Sequence, residues 1–293
     1  MFAFTLLLLC ANDDLAQLTL VPNTTEILQR DNLLLMGLLE NKSESAIAVF
    51  SQLSVLADIR VELLEGDKWG VLRRTGEGGI IPGAERRLMM GKTSYVEFNA
   101  LFLRGNTGEF LFEKPGKYQL RAVAKMPWGE MPSQPITITV KKRSAADLET
   151  IDKHKIDLPL ALVGGGIELP EKTLDLRVLG GNIGHTIEQS RMLLALAVKR
   201  EWEGESVPLE KIPGWLRKKL DPVSSEFALL QLGGYFLGNK DWNGLHYVIS
   251  NLQNDSIYKH EFTHELKQGI KVRFPPPRDP WWRADRNGEA KVT

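Results

Sequence analysis

The stretch that decides the fold reads Lys117-Tyr118-Gln119-Leu120-Arg121-Ala122-Val123-Ala124-Lys125. From Tyr118 to Ala124 every second position carries a side chain suited to one buried face, which is the period of a β-strand. A second stretch, Ile136-Thr137-Ile138-Thr139-Val140, alternates in the same way and is β-branched at every position. Both stretches therefore predict strands, and the Pro127-Trp128-Gly129 turn between them predicts a connection on the surface.

The same signals extend towards the N-terminus, where short apolar runs are separated by Pro, Gly and Asn turns. The further candidate strands are Leu18–Val21, Leu33–Leu39, Ile59–Leu64, Leu88–Met90, Tyr95–Leu101 and Phe110–Phe112. Seven or eight short strands bounded by turns predict an antiparallel β-sandwich over residues 17–142.

One part of this half carries a resemblance to a known class of module. The run Phe112-Glu113-Lys114-Pro115-Gly116-Lys117-Tyr118 resembles the turn and opening tyrosine of the penultimate strand in bacterial extracytoplasmic immunoglobulin-like modules. The resemblance implies an immunoglobulin-like sandwich with a structural or adhesive role. The paired cysteines of antibody domains are absent, since Cys10 is the single cysteine.

Beyond Lys142 the apolar period changes from that of strands to that of helices. We expect a polar linker over residues 143–155, a helical domain over 156–273 and a tail over 274–293 that contains Trp281 and Trp282. The expected helices include His185–Glu201, Ser224–Leu237, Trp242–Leu252 and Ser256–Ile270. The predicted fold class is therefore α+β multidomain, with an antiparallel immunoglobulin-like sandwich followed by an all-α helical-hairpin domain.

The predicted hairpin resembles a tetratricopeptide repeat in the placement of its apolar and small residues. The positions that carry this resemblance are Leu229, Leu232, Gly233, Phe236, Trp242, Leu245, Ile249 and Leu252. It implies a short helical module with a groove between Ser224–Leu237 and the final helix, which would bind an extended peptide. We expect the junction at Lys141–Leu160 to contribute to the same interface.

The N-terminal sequence predicts where in or outside the cell the protein is located. Phe2–Leu9 is an apolar run of signal-peptide length, so residues 1–16 are expected to be a signal segment and the protein to be periplasmic or secreted. A positively charged start is missing, and a buried first strand is the alternative. No other stretch approaches the length of a membrane span, so none is expected in the mature chain.

Composition excludes several classes of function. Lys plus Arg equals Asp plus Glu at 37 each, which argues against a globally basic nucleic-acid-binding protein. A single cysteine excludes an intramolecular disulfide and any multi-cysteine metal site. The Gly164-Gly165-Gly166 run fits neither a dinucleotide-binding nor a P-loop spacing, so it predicts a plain loop.

One motif carries a complete chemical rationale. His260-Glu261-Phe262-Thr263-His264 fits H-E-x-x-H, in which two histidines one helical turn apart bind zinc and the glutamate acts as general base. Lys267 and Ile270 stand where metzincins carry Gly and His, and Asp285 and Glu289 are the first candidates for a third ligand.

From these observations we expect a non-catalytic binding or scaffolding protein with a protein or peptide partner and no cofactor. The alternative is a zinc-dependent metallopeptidase in which His260 and His264 bind the metal and Glu261 is the catalytic base. The sequence leaves the partner and the oligomeric state open.

Overall fold

The computed structural model describes residues 15–49, 59–72, 87–89, 91–104, 109–126, 128–153, 181–186, 220–253 and 257–273. The chain divides into two compact units, Met1–Ser190 and Arg191–Thr293. Within the described residues, the first unit holds every strand and one helix, α1, together with a helical segment at 182–186. The described part of the second unit forms three helices.

The described residues of the first unit form eleven strands. They are β1 (Ala16–Pro22), β2 (Glu26–Leu28), β3 (Leu33–Asn41), β4 (Ile47–Val49), β5 (Ile59–Glu65), β6 (Lys68–Leu72), β7 (Arg87–Met89), β8 (Ser94–Leu101), β9 (Gly116–Met126), β10 (Gly129–Pro132) and β11 (Ile136–Lys141). They form a three-stranded sheet ordered β1-β3-β8, a six-stranded sheet ordered β2-β11-β9-β5-β6 with β10 also on β9, and the pair β4-β7.

The alternating stretch at 117–125 lies within β9, which is the central strand of the larger sheet. On one side β9 pairs with β5, where Leu120 lies opposite Leu63. On the other side it pairs with β11, where Leu120 lies opposite Ile136. All the pairings of β9 are antiparallel, as the alternation predicts.

The predicted fold class is nevertheless wrong. β2 pairs with β11 in parallel, with Glu26 opposite Thr139, so the larger sheet is mixed and not antiparallel. β2 has only three residues, which is too few to show an alternation of apolar and polar side chains. The parallel pairing joins distant segments, so the order of residues within either strand does not reveal it. The strand-rich unit also carries helical structure at α1 and at 182–186, within the ranges expected as linker and helical domain.

The two larger sheets meet over their apolar faces. A Cβ atom on Gly37 of β3 would lie 2.8 Å from Cγ2 of Ile59 on β5, so glycine allows close approach at this point. The buried carboxylate of Glu97 on β8 accepts a hydrogen bond from the backbone N–H of Ile59 at 2.9 Å. The apolar contact between the sheets therefore includes a polar contact from Glu97.

The turn between β2 and β3 contains a completely buried ion pair. The side chains of Asp31 and Arg143 are both 0% exposed, with Arg143 Nη2 3.2 Å from Asp31 Oδ2. Asp31 also accepts hydrogen bonds from the backbone N–H groups of Asn182 at 2.9 Å and Ile183 at 2.7 Å. One carboxylate thus holds the chain after β11 and the start of the helical segment at 182–186.

Burial opposes the charge on both members of this pair. Burial raises the pKa of Asp31, while Arg143 and the N–H donors act in the opposite direction. Burial likewise lowers the pKa of Arg143, with Asp31 opposing that shift. Each ion is therefore tolerated only because the other is present, and loss of one partner from such a pair costs about 3–5 kcal/mol.

Arg30, the neighbour of Asp31, connects the same turn to helix α1 (Ala145–Lys153). Its guanidinium forms two hydrogen bonds to Glu113, at 2.9 and 2.6 Å, and two to Asp152 of α1, both at 2.8 Å. The guanidinium also lies 5.0 Å from the centre of the Phe110 ring. Residues 143–155, expected as a solvated linker, thus include a helix that packs through Ile151 and is held by Arg30.

The second unit is built from α2 (Pro222–Gly238), α3 (Trp242–Asn251) and α4 (Ile257–Arg273). Asp221 caps α2 through the Ser224 N–H at 2.9 Å, and Asp241 caps α3 through the Gly244 N–H at the same distance. The side chains that form its core include Leu229, Leu232, Phe236, Leu245, Val248, Phe262 and Leu266.

Glycines allow close packing between these helices. A Cβ atom on Gly233 of α2 would overlap the Phe262 ring of α4, so the expected peptide groove between these helices is closed here. Gly244 and Gly269 are packed in the same way, against Phe236 and Trp242.

Two adjacent glycines of α2 give a matched test of this packing. We expect Gly233→Ala to lower the free energy of unfolding of the helical unit by about 1–3 kcal/mol, because the new methyl group overpacks against Phe262. We expect Gly234→Ala to raise it by about 0.5–1 kcal/mol, because nothing lies within 4 Å of that Cβ position. Urea unfolding followed by far-UV circular dichroism measures both, and equal effects would contradict the packing described.

Candidate functional site

The H-E-x-x-H motif lies on α4, and the side chains of His260, Glu261 and His264 are all exposed. Phe262, in the middle of the motif, is buried against Gly233. The motif is thus helical, as the sequence predicts, and its two histidines lie on the same exposed side.

A catalytic zinc site normally needs a third protein ligand. Within the part of the chain that the structure describes, no group of three or more His, Cys, Asp or Glu side chains could hold a metal ion. Asp285 and Glu289, the first candidates for that ligand, lie outside the described residues, so the metallopeptidase alternative remains a prediction. Cys10, the Gly164-Gly165-Gly166 run, Trp281 and Trp282 also lie outside them.

The outward face of the larger sheet carries a network of charged side chains that sequence reasoning missed. Glu62 on β5 has a side chain only 5% exposed and lies between two arginines. It accepts hydrogen bonds from Arg60 Nε at 2.9 Å and from Arg121 Nε of β9 at 2.8 Å. Arg60 also donates two 2.7 Å hydrogen bonds to Glu130 of β10. The four side chains therefore join three neighbouring strands.

An aromatic side chain, Trp69 of β6, packs against this network. The guanidinium of Arg121 lies over the Trp69 ring of β6, 4.3 Å from the ring centre. Val71, two positions along the same strand, is 49% exposed, and Trp128 in the turn between β9 and β10 is 36% exposed. We give the name Arg–Glu face to Arg60, Glu62, Trp69, Val71, Arg121 and Glu130.

The hydrogen bonds between Arg60 and Glu130 favour the charged forms of both side chains. The hydrogen bonds from Arg60 lower the pKa of Glu130, and those bonds in turn raise the pKa of Arg60. A general acid at neutral pH needs a raised carboxyl pKa, so Glu130 is unsuited to that role. The arrangement is suited instead to binding, because its two arginines and its tryptophan are already held in position.

Sequence reasoning missed this face because its members are distant along the chain. Arg60 and Glu130 are 70 positions apart, and Glu62 and Arg121 are 59 apart. The alternation of β9 does place Arg121 on the side opposite Leu120 and Ala122. Only the pairing of β5 with β9, which sets Glu62 opposite Arg121, brings the two charges together.

Comparisons with known proteins do not assign a family. No protein-family model matches the chain, and no curated protein matches it. The resemblances to immunoglobulin-like modules and to tetratricopeptide repeats therefore remain predictions.

Solved structures show only weak likenesses. The sporulation control protein Spo0M from Bacillus subtilis matches with 9% identity and a TM-score of 0.29, over 47% of this chain and 55% of that one. A β-glucosidase from Listeria innocua in complex with glucose matches with 11% identity and a TM-score of 0.25, over 43% and 16%. The β-glucosidase EmGH1 from Erythrobacter marinus matches with 13% identity and a TM-score of 0.27, over 43% and 15%. These likenesses assign neither a fold nor a function to this chain, which spans about half of the first protein and a small part of the glucosidases.

Among the residues that the structure describes, no helix is both long enough and apolar enough to cross a bilayer.

The pKa of Glu130 tests the ion pair at the edge of the Arg–Glu face. Because Arg60 lowers this pKa, the pair stabilises the folded chain above the ordinary glutamate pKa and stops doing so as pH falls through the lowered value. We expect Arg60→Met to return the Glu130 pKa towards its ordinary value, as followed by NMR titration of the side-chain carboxyl. The pKa of Glu149, which Lys153 lowers on α1, serves as the control and should not change. An ordinary Glu130 pKa in the unsubstituted protein would contradict the pairing.

Proposed function

We propose that the protein is a non-catalytic binding or scaffolding protein that acts outside the cytoplasm and binds a protein partner through the Arg–Glu face. The observation that carries the proposal is the Arg121 guanidinium, stacked on Trp69 and hydrogen-bonded to the buried carboxylate of Glu62. Trp and Arg are the side chains most enriched among residues that dominate the energetics of protein interfaces.

Preorganisation supports this choice of surface. A long arginine side chain normally loses conformational entropy when it is fixed in an interface. Here Arg60 and Arg121 are already held by Glu62, and Arg60 also by Glu130, so less entropy remains to be lost on binding. Exposed Val71 adds apolar area beside the charged groups.

The charges at the expected junction support the same choice. Lys141 pairs with Glu26 at 2.5 Å, and Arg143 and Asp152 pair with the turn between β2 and β3. Because the side chain of Arg143 is completely buried, it is not accessible to a partner, and we place the partner on the Arg–Glu face rather than at Lys141–Leu160.

The extracytoplasmic location rests on the apolar run Phe2–Leu9 and is part of the proposal. Fractionation of the source cells tests it directly. A chain confined to the cytoplasmic fraction would contradict this part of the proposal.

Site-specific photo-cross-linking tests the binding surface. With a photo-reactive amino acid in place of Val71, we expect the full chain in its source cells to form one discrete covalent adduct. The adduct should disappear when Arg121→Ala is added, because that change removes the guanidinium stacked on Trp69.

A photo-reactive residue in place of exposed Glu149 on α1 is the matched control. No adduct from position 71, or the same adduct from position 149, would contradict the proposed surface.

The metallopeptidase alternative makes a different prediction. It requires casein cleavage that is lost in Glu261→Gln and on chelation of zinc. Such activity would overturn the non-catalytic proposal, whatever the result of the cross-linking.

A further inference from the structure

Two histidines, His260 and His264, lie one helical turn apart on the exposed side of α4. His260 and His264 are four residues apart, the spacing at which side chains on a helix lie one above the other. Phe262 is two residues from each of them, about 200° around the helix, and it is buried. Burial of Phe262 therefore turns both imidazoles away from the core.

Packing also keeps this part of α4 helical. Phe262 fills the space over Gly233, Leu266 is 1% exposed, and Gly269 packs against the Trp242 ring. Packing at three positions over the eight residues from Phe262 to Gly269 fixes the backbone that carries the histidines. The helical backbone that carries the two histidines is thus fixed before any ligand binds, which lowers the entropy lost on chelation.

Two imidazoles at this spacing are suited to a borderline divalent ion. Imidazole is a preferred ligand of zinc and copper, and copper binds nitrogen ligands more tightly than zinc does. We propose that His260 and His264 chelate one divalent transition-metal ion on the surface of α4, with the remaining coordination positions open to water or to another molecule. The site needs no third protein ligand, and it is independent of the proposed binding function.

The charged residues around the two histidines determine the metal affinity that we expect. Lys267 is exposed and lies three residues beyond His264, on the same side of the helix. Its positive charge opposes a bound cation. Glu261 and Glu265 are also exposed and add negative charge on the flank of the site. We therefore expect a moderate affinity that depends on the residue at position 267.

Zinc titration of the untagged full chain tests the site. We expect His260→Ala and His264→Ala each to weaken Zn²⁺ binding at least about tenfold, since even loss of a residue that only orients a ligand costs about 10–100-fold. His246→Ala is the matched control, because His246 is an exposed histidine on the neighbouring helix α3. It should bind Zn²⁺ as the unsubstituted chain does.

Substitutions of Lys267 test whether the metal affinity can be increased. We expect Lys267→Glu to tighten Zn²⁺ binding more than Lys267→Gln, because a carboxylate one turn from His264 adds a ligand as well as removing a positive charge. We expect Glu261→Gln to weaken Zn²⁺ binding far less than either alanine variant, since it removes one flanking negative charge and neither imidazole.

Copper supplies a readout that does not depend on variants folding. Paramagnetic Cu²⁺ added to the unsubstituted chain should broaden the ring signals of His260 and His264 in NMR spectra before those of His246. The proposal is overturned if His246 broadens first or together with them, or if either alanine variant at 260 or 264 binds Zn²⁺ normally.

Discussion

The carboxylate of Asp31 is completely buried where the turn between β2 and β3 meets two later parts of the chain. It faces the Arg143 guanidinium, just after β11, and accepts the first N–H groups of the helical segment at 182–186. A buried ion is costly unless charge and hydrogen bonds compensate it, so this contact exists only when all three segments are in place. The parallel pairing of β2 with β11 lies beside it, between Ile27 and Val140.

Two adjacent residues in this turn reach different parts of the unit. Arg30, at a backbone φ of 60°, points towards Glu113 and the end of α1, whereas Asp31 points into the interior. A left-handed residue other than glycine is strained, and here the strain is offset by four hydrogen bonds from one guanidinium. The turn therefore connects the mixed sheet to its helical structure, while the Arg–Glu face on β5, β6, β9 and β10 remains outside these contacts.

Sequence reasoning succeeded where the signal is local. The alternation in β9 and β11 predicts strands at the correct positions, and the motif at 260–264 is helical as expected. It failed where contacts between distant parts of the chain determine the structure. Three-residue β2 has no readable period, and the polar composition around α1 concealed the ion pair that Arg143 makes with a residue 112 positions earlier. The Arg–Glu face was missed for the same reason, because opposite charges on separate strands become one site only through strand register.

Amide hydrogen exchange in Asp31→Asn measures the central interaction most directly. The substitution keeps the shape of the side chain but removes the negative charge that faces Arg143. It also replaces one of the two carboxylate oxygens that accept the N–H groups of Asn182 and Ile183 with an amide NH2 group. We expect those two amides to lose protection, while the amide of Ala122 in β9, which is bonded to Ser133, stays protected. Unchanged protection at Asn182 and Ile183 would contradict the role assigned to Asp31.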